Sequence, residues 1–328
     1  MADPESVQVV KSANMIITKL LKVRPRERVL LVADTKTDMS MVTALAAESS
    51  SVGADYLVTV MPCREKLGES QTSLPESIRK ILEDFQIVIG LNATSGAPSY
   101  DSKVAHLLYI KKIRYMSMVL RSVENWTGGA AMADYEEVYS NAQRLARVFQ
   151  GRNIEVTTAS GTDLTASIEG RKAIIEAGLA TEAGQSAAFS DGEVSLSAVE
   201  GTASGTAVID GPISYIGPHR EPIRVDLEKG RVVNVSGGRE ATTLKEWLAK
   251  IENFDNFAEI GIGVNPEARG NGDWQEEKKK LGTAYFALGD NIYYYGVVGC
   301  PIHLDTVMYD PTVIVDGNMI AKENRLNI

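Results

Sequence analysis

Apolar and polar positions along the first 150 residues follow two periods in turn. Val9, Val10, Ile16, Ile17, Leu20 and Leu21 recur at helical spacing within 7–21, the stripe of an amphipathic helix. After Pro25, Arg28-Val29-Leu30-Leu31-Val32-Ala33 is a short continuous apolar run, which predicts a buried strand. The alternation then repeats. Helices are predicted over 40–52, closed by Gly53, and over 75–84, 100–111 and 134–149. Strands are predicted over 56–60, 87–91 and 113–118. Continuous apolar strands alternating with helices imply a parallel sheet covered on both faces, an α/β domain spanning 1–150.

Such a Rossmann-like architecture does not by itself make a nucleotide site. The turn after the first strand is Asp34-Thr35-Lys36-Thr37-Asp38. It has no glycine where a pyrophosphate must approach the backbone, which argues against bound NAD or FAD.

The pattern changes at Gly151. Asn153–Thr158 and Asp163–Ile168 flank a Ser160-Gly161-Thr162 turn, a hairpin signal. From there on, strands are short, β-branched residues common and glycines frequent, with one helix predicted over 241–251. Residues 151–328 therefore read as a β-rich α+β domain. Gly270-Asn271-Gly272-Asp273 and the run 276–280 read as an exposed loop and a charged, solvated segment.

Composition narrows the chemistry. The chain has 328 residues and a formal net charge of -9, with 34 Lys plus Arg against 43 Asp plus Glu. That balance argues against a nucleic-acid partner. It has three histidines (His106, His219, His303) and two cysteines (Cys63, Cys300), too few for a Cys-rich zinc site or a disulfide framework. A metal site here must draw most of its ligands from carboxylates. The polar N-terminus lacks the features of a secretory signal. No window approaches the roughly 20 apolar residues of a membrane span. The expectation is a cytoplasmic protein with no membrane partner.

Four segments of the second half gather acidic, phenolic or imidazole groups, three of them close to glycine: 198–205, 258–263, 281–290 and 303–305. In a strand, residues two apart share a face. His303 and Asp305 thus present an imidazole and a carboxylate side by side. Spacing alone leaves two readings open, a pair of metal ligands or a strand end whose groups merely hydrogen-bond. Glu200 and Glu259 each stand just before a glycine, which lets a carboxylate approach an ion or simply marks a surface turn.

Taken in order, Gly161-Thr162-Asp163-Leu164, Asp191-Gly192-Glu193-Val194, Val199-Glu200-Gly201, Leu227-Glu228-Lys229-Gly230, Glu259-Ile260-Gly261, Ala287-Leu288-Gly289 and His303-Leu304-Asp305 resemble the thermophilic metallopeptidase family typified by aminopeptidases T and S. They also resemble a ring-cleaving relative of that family, 2,5-dihydroxypyridine dioxygenase. The first half matches only as an α/β domain. In the peptidases a paired-metal site uses two glutamates, two histidines and an aspartate. The resemblance places Glu200, Glu259, His303 and Asp305 at four of these positions and Tyr285 at the remaining histidine. Tyrosine, with an unperturbed pKa of about 10, is a poor zinc ligand, so one metal is in doubt and Tyr285 becomes a candidate proton donor or oxyanion partner.

The dioxygenase relative keeps the His-x-Asp pair but has a histidine where Glu259 stands. Iron oxygenases usually rest on two histidines and one carboxylate, and the set Glu259, His303 and Asp305 is more anionic. That favours a Lewis-acid ion. The leading expectation is therefore a metal-dependent hydrolase cleaving an amide or peptide-like bond of a small substrate. It would use Zn, Mn or Co held by Glu259, His303 and Asp305, with Glu200 as a further ligand or general base and Tyr285 on the oxyanion. The alternatives are an Fe(II) dioxygenase acting on a hydroxylated N-heterocycle, and an inactive ligand-binding member of the family. By the same resemblance Arg220 is a candidate clamp for a substrate carboxylate, a salt bridge to Glu221 or Glu228 being the other reading. The run Tyr293–Tyr295 reads as half-buried strand tyrosines, lining a pocket or facing a partner subunit being the other reading, and Cys300 as a small hydrophobe three residues from His303. The resemblance also implies a homodimer.

Overall fold

The computed structural model describes residues 4–63, 73–92, 98, 101–119 and 122–328. Met1–Asp3, at the start of the polar N-terminus, and Tyr100, the first residue expected of the fourth helix, lie outside them. The chain divides into two compact units, Met1–Tyr135 with Glu176–Asp191, and Glu136–Ile175 with Gly192–Ile328.

In the first unit, α1 (Pro4–Met15) runs on into a single π turn, Ile16–Leu20. There follow β1 (Arg28–Asp34), α2 (Met39–Ser51), β2 (Asp55–Met61), α3 (Glu76–Ile81), β3 (Ile87–Asn92), α4 (Ser102–Tyr109), β4 (Arg114–Val119) and the short α5 (Glu124–Thr127). Asp38 and Asp101 cap α2 and α4 by accepting from the backbone amides of Ser40 and Lys103. Gly53, with φ of +78°, lets the chain leave α2 and turn into β2. The sheet order is β2-β1-β3-β4, all parallel, and the strand Ser186–Ala188 adds to β4. Every residue of β3 and all but the first of β1 are buried, as continuous apolar runs require, while β2 is an exposed edge.

The turn after β1 is closed by its own side chains. Asp34 Oδ1 accepts from the Lys36 amide at 2.8 Å, and the Thr37 hydroxyl, which accepts from the Asp34 amide at 2.9 Å, donates to the Leu91 carbonyl.

The division of the chain differs from a single boundary at 150/151 in two places. Most of α6 (Tyr135–Val148) belongs to the second unit. Conversely, Glu176–Asp191 returns to the first unit, because its strand completes the parallel sheet. Apolar periodicity marks 134–149 as a helix but not which core it joins.

The second unit continues with β5 (Asn153–Thr157), β6 (Asp163–Ser167) and β7 (Ile174–Glu176); the returning strand Ser186–Ala188 is β8. Then come β9 (Glu193–Leu196), β10 (Ser204–Ile209), β11 (Ile223–Glu228), β12 (Arg231–Ser236), α7 (Arg239–Lys250), β13 (Phe257–Gly263) and α8 (Trp274–Glu277). β14 (Ala284–Gly289), β15 (His303–Met308), β16 (Thr312–Val315), β17 (Asn318–Lys322) and β18 (Arg325–Leu326) complete it. β5 and β6 form the expected hairpin. An eight-stranded sheet runs β12-β11-β10-β6-β5-β16-β17-β18, and a five-stranded sheet runs β15-β14-β13-β9-β7. The fold is thus an N-terminal parallel α/β sheet followed by an antiparallel, β-rich region. Among the described residues no helix is long and apolar enough to cross a membrane.

The five-stranded sheet has two unlike faces. Register places Gly263 opposite Glu193, Gly261 opposite Ser195 and Tyr285, Ala287 opposite Glu259 and Asp305, and Gly289 opposite His303. These residues share one face, since directly paired residues point the same way. The other face carries Leu196, Ile260, Ile262, Phe286, Leu288 and Leu304, all buried, with Phe257 and Phe286 stacked at 5.7 Å. Apolar packing on that side holds the strands that aim the polar side.

Candidate metal centre

Glu259, His303 and Asp305 converge on the polar face. Their ligand atoms all lie within 4.8 Å of one another, as in no other such group of His, Cys, Asp or Glu among the described residues. Gly261, Ala287 and Gly289 present little or no side chain of their own on this face. His303 Nε2 lies 2.8 Å from Glu259 Oε2 and 3.5 Å from Asp305 Oδ1. His303 Nδ1 lies 2.7 Å from the Asp290 carbonyl. A carbonyl only accepts, so Nδ1 carries a proton and Nε2 is the nitrogen turned to the carboxylates. Tyr294 stacks on the imidazole, with 5.2 Å between ring centres.

Each carboxylate is held by a further donor. The Tyr285 hydroxyl donates to Glu259 Oε1 at 3.0 Å, and both residues are fully buried. The Lys278 ammonium sits 3.5 Å from Asp305 Oδ1, 3.0 Å from Glu193 Oε1 and 4.8 Å from the centre of the Tyr285 ring. Ser214 brackets the Asp305 backbone: its hydroxyl accepts from the Asp305 amide and its own amide donates to the Asp305 carbonyl, both at 2.9 Å.

Burial opposes charge on both His303 and Asp305, and neighbouring charge outweighs it in each. Asp305 and Glu259 hold the imidazole pKa well above its ordinary value. Burial pushes the Asp305 carboxyl up, but the Lys278 ammonium and the His303 imidazole bring it down to about 2.

The residues fit a divalent ion. One imidazole nitrogen and two carboxylates are a donor set for a hard or borderline metal, and the hydrogen bond from Nδ1 to a carbonyl is the usual support of a ligating histidine. Asp305 Oδ1 is buried without a hydrogen bond, its nearest donors standing 3.5 Å away. A buried carboxylate oxygen is costly unless it meets a cation; the Lys278 ammonium is one such partner, and an ion would be a closer one.

Of the residues singled out in the sequence, Glu259, His303, Asp305 and Tyr285 come together. Glu200, expected as a ligand or general base, is not in the cluster. It accepts from Asn291 Nδ2 at 2.9 Å and from the Val297 amide at 3.0 Å, and it pairs with Arg171. Burial opposes its ionisation, yet the backbone amides of Glu200 and Val297, with Asn291 and Arg171, hold its pKa below the usual value. Its oxygens are committed to pinning the 291–297 turn. Tyr285, expected to face an oxyanion, donates its hydrogen bond to Glu259.

Arg220 is exposed, with neither Glu221 nor Glu228 as an ion-pair partner among the described residues. Tyr293–Tyr295 lie in a turn, not a strand, with Tyr294 alone buried. Cys300 is half-buried, and burial raises its pKa, which disfavours a thiolate ligand.

The 276–280 run corrects a plainer expectation. Glu276, Glu277, Lys278 and Lys279 are buried, not solvated. Glu276 is clasped by Arg269 and Asn271, Glu277 by the Gly272 amide and the Tyr309 hydroxyl, and Lys278 by Glu193 and Asp305. Lys278, Glu193 and Ser214 are site residues that the sequence reading does not single out. The available signal was the position of Glu193 just after Asp191-Gly192, within one of the ordered motifs.

A parallel α/β unit joined to an antiparallel unit with a buried imidazole–carboxylate cluster defines a two-unit protein with a candidate metal centre. The chain belongs to the 2,5-dihydroxypyridine 5,6-dioxygenase (NicX) family, whose model matches residues 13–327. The curated 2,5-dihydroxypyridine 5,6-dioxygenase of Pseudomonas putida KT2440 is 27% identical over 195 residues, 53% of this chain and 56% of that protein. The sequence match therefore spans little more than half the length of that relative. A solved structure of the 2,5-dihydroxypyridine dioxygenase from Pseudomonas putida KT2440 superposes with a TM-score of 0.81 at 19% identity, covering 98% of this chain and 97% of that one. AmpT from Thermus thermophilus superposes at 0.70 with 14% identity, covering 98% and 99%. At these identities the two likenesses speak for the fold.

The family overturns the expectation of a metal-dependent hydrolase of the aminopeptidase or metalloprotease kind. The kinship with aminopeptidase T is one of fold alone. That expectation rested on the excess of carboxylates over histidines. It could not see that Glu259 receives a phenolic hydrogen bond and that Asp305 stands beside an ammonium, both of which draw charge from the carboxylates.

Proposed function

We propose that the chain is a metal-dependent dioxygenase of a hydroxylated N-heterocycle of the 2,5-dihydroxypyridine type. The observation that carries this reading is the convergence of Glu259, His303 and Asp305 on one sheet face in a chain of this family. Iron(II), when bound, supplies the redox chemistry by which dioxygen reacts with an electron-rich ring. Both oxygen atoms enter the product, so no external reductant is needed.

The protein's own residues supply placement. Glu259, His303 and Asp305 would hold the ion, one histidine fewer than the usual two-histidine, one-carboxylate set. The Asp290 carbonyl fixes the imidazole ring, the Tyr285 hydroxyl orients Glu259, and Lys278 with Ser214 orients Asp305. Tyr294 covers one face of His303 and limits the approach of water there.

An oxygen electrode tests the reading. Protein loaded with Fe(II) is expected to consume one O2 per 2,5-dihydroxypyridine, and His303→Ala to consume none. No uptake by iron-loaded wild type, or equal uptake by His303→Ala, would falsify it.

A further inference from the structure

The centre holds more negative charge than one ion's ligands account for. Beside Glu259 and Asp305 stands Glu193, whose side chain is 4% exposed and whose Oε1 meets the ammonium of Lys278, itself 8% exposed. With the imidazole neutral, as a metal ligand must be, three buried carboxylates and one ammonium leave two negative charges, which a single divalent ion neutralises. The ammonium bridges Glu193 on β9 and Asp305 on β15, at 3.0 and 3.5 Å, and its charge faces the Tyr285 ring at 4.8 Å.

A compact point charge shared between two carboxylates balances charge that a second cation would otherwise have to balance. It cannot be lost to a chelator, because its stem is part of the chain. Lys278 directly follows α8, whose N-terminus Asp273 caps and whose Trp274 carbonyl accepts from the Lys278 amide.

We propose that Lys278 fills a second cation position and so restricts the centre to one divalent ion, although Glu193, Glu259, His303 and Asp305 offer donors enough for two. The proposal rests on the reading that Glu259, His303 and Asp305 hold the first ion.

The test is a count of ions, independent of turnover. Full-length wild type, Lys278→Ala and Lys278→Met, stripped of metal, are titrated with Mn(II) by equilibrium dialysis and followed by electron paramagnetic resonance. Wild type is expected to bind one Mn(II) per chain with the spectrum of an isolated ion. Lys278→Ala, which removes the charge and leaves room, is expected to bind two with a spin-coupled spectrum. Lys278→Met keeps the bulk and removes the charge, so it should bind one ion at least about tenfold more tightly than wild type. A merely structural role would weaken binding instead.

One ion in Lys278→Ala, or no tightening in Lys278→Met, overturns the proposal and leaves the first site standing. If Lys278→Ala does not fold, the methionine variant decides. No ion bound by wild type overturns the centre itself, and the proposal with it.

Discussion

Tyr285 crosses Gly261 to reach Glu259. A Cβ built at Gly261 would lie 2.2 Å from the Tyr285 Cζ and 2.3 Å from its hydroxyl oxygen, so the phenol occupies the space a side chain would need. Its hydroxyl ends 3.0 Å from Glu259 Oε1. The missing side chain on β13 is thus what lets a residue of β14 position a candidate ligand.

Removing that hydroxyl tests its contribution. Tyr285→Phe leaves a fully buried Glu259 oxygen without this donor and is expected to cost about 1–3 kcal/mol of stability. Denaturant unfolding of both proteins measures it. A cost below about 0.5 kcal/mol would mean that the hydrogen bond does not order Glu259.

Filling the gap acts on the same contact from the other strand. Gly261→Ala must push the phenol aside, at an expected cost of about 1–3 kcal/mol. It should also weaken Mn(II) binding while leaving one ion per chain. Dialysis of the variant checks this; wild-type affinity together with wild-type stability would show that the ring has room to move.

Metal uptake should depend on pH in a definite direction. Asp305 and Glu259 raise the His303 pKa well above its ordinary value, so below that raised pKa the imidazole keeps a proton that an ion must displace. Affinity therefore rises with pH, by about tenfold per unit for one displaced proton, and levels off above the raised pKa. Competition with a chelator between pH 6 and 8 reads the slope. A flat profile would show that His303 is already neutral.

Glu200 separates a ligand from a structural carboxylate. Glu200→Gln keeps the size but weakens the grip on Arg171, Asn291 and the Val297 amide. The expectation is a loss of about 1–3 kcal/mol in stability with one ion per chain retained. Loss of the ion without loss of stability would restore Glu200 to the ligand set.

The sequence by itself determined the local elements and one pair of site residues. Continuous apolar runs such as Leu30–Ala33 and Ile87–Leu91 specify buried parallel strands because such strands are covered on both faces, and the period of two puts His303 and Asp305 on one face of β15. Tertiary structure decided the rest. Whether Glu200 or Glu259 joins that pair depends on what flanks β14 on the side away from β15, and that is β13, which carries Glu259. Lys278 reads as solvated because its complements, Glu193 and Asp305, come from distant strands; its burial became affordable only when antiparallel register brought those strands together. Local pattern carries the periodicity of each element, whereas the charge balance of a buried centre is a property of the assembled sheet.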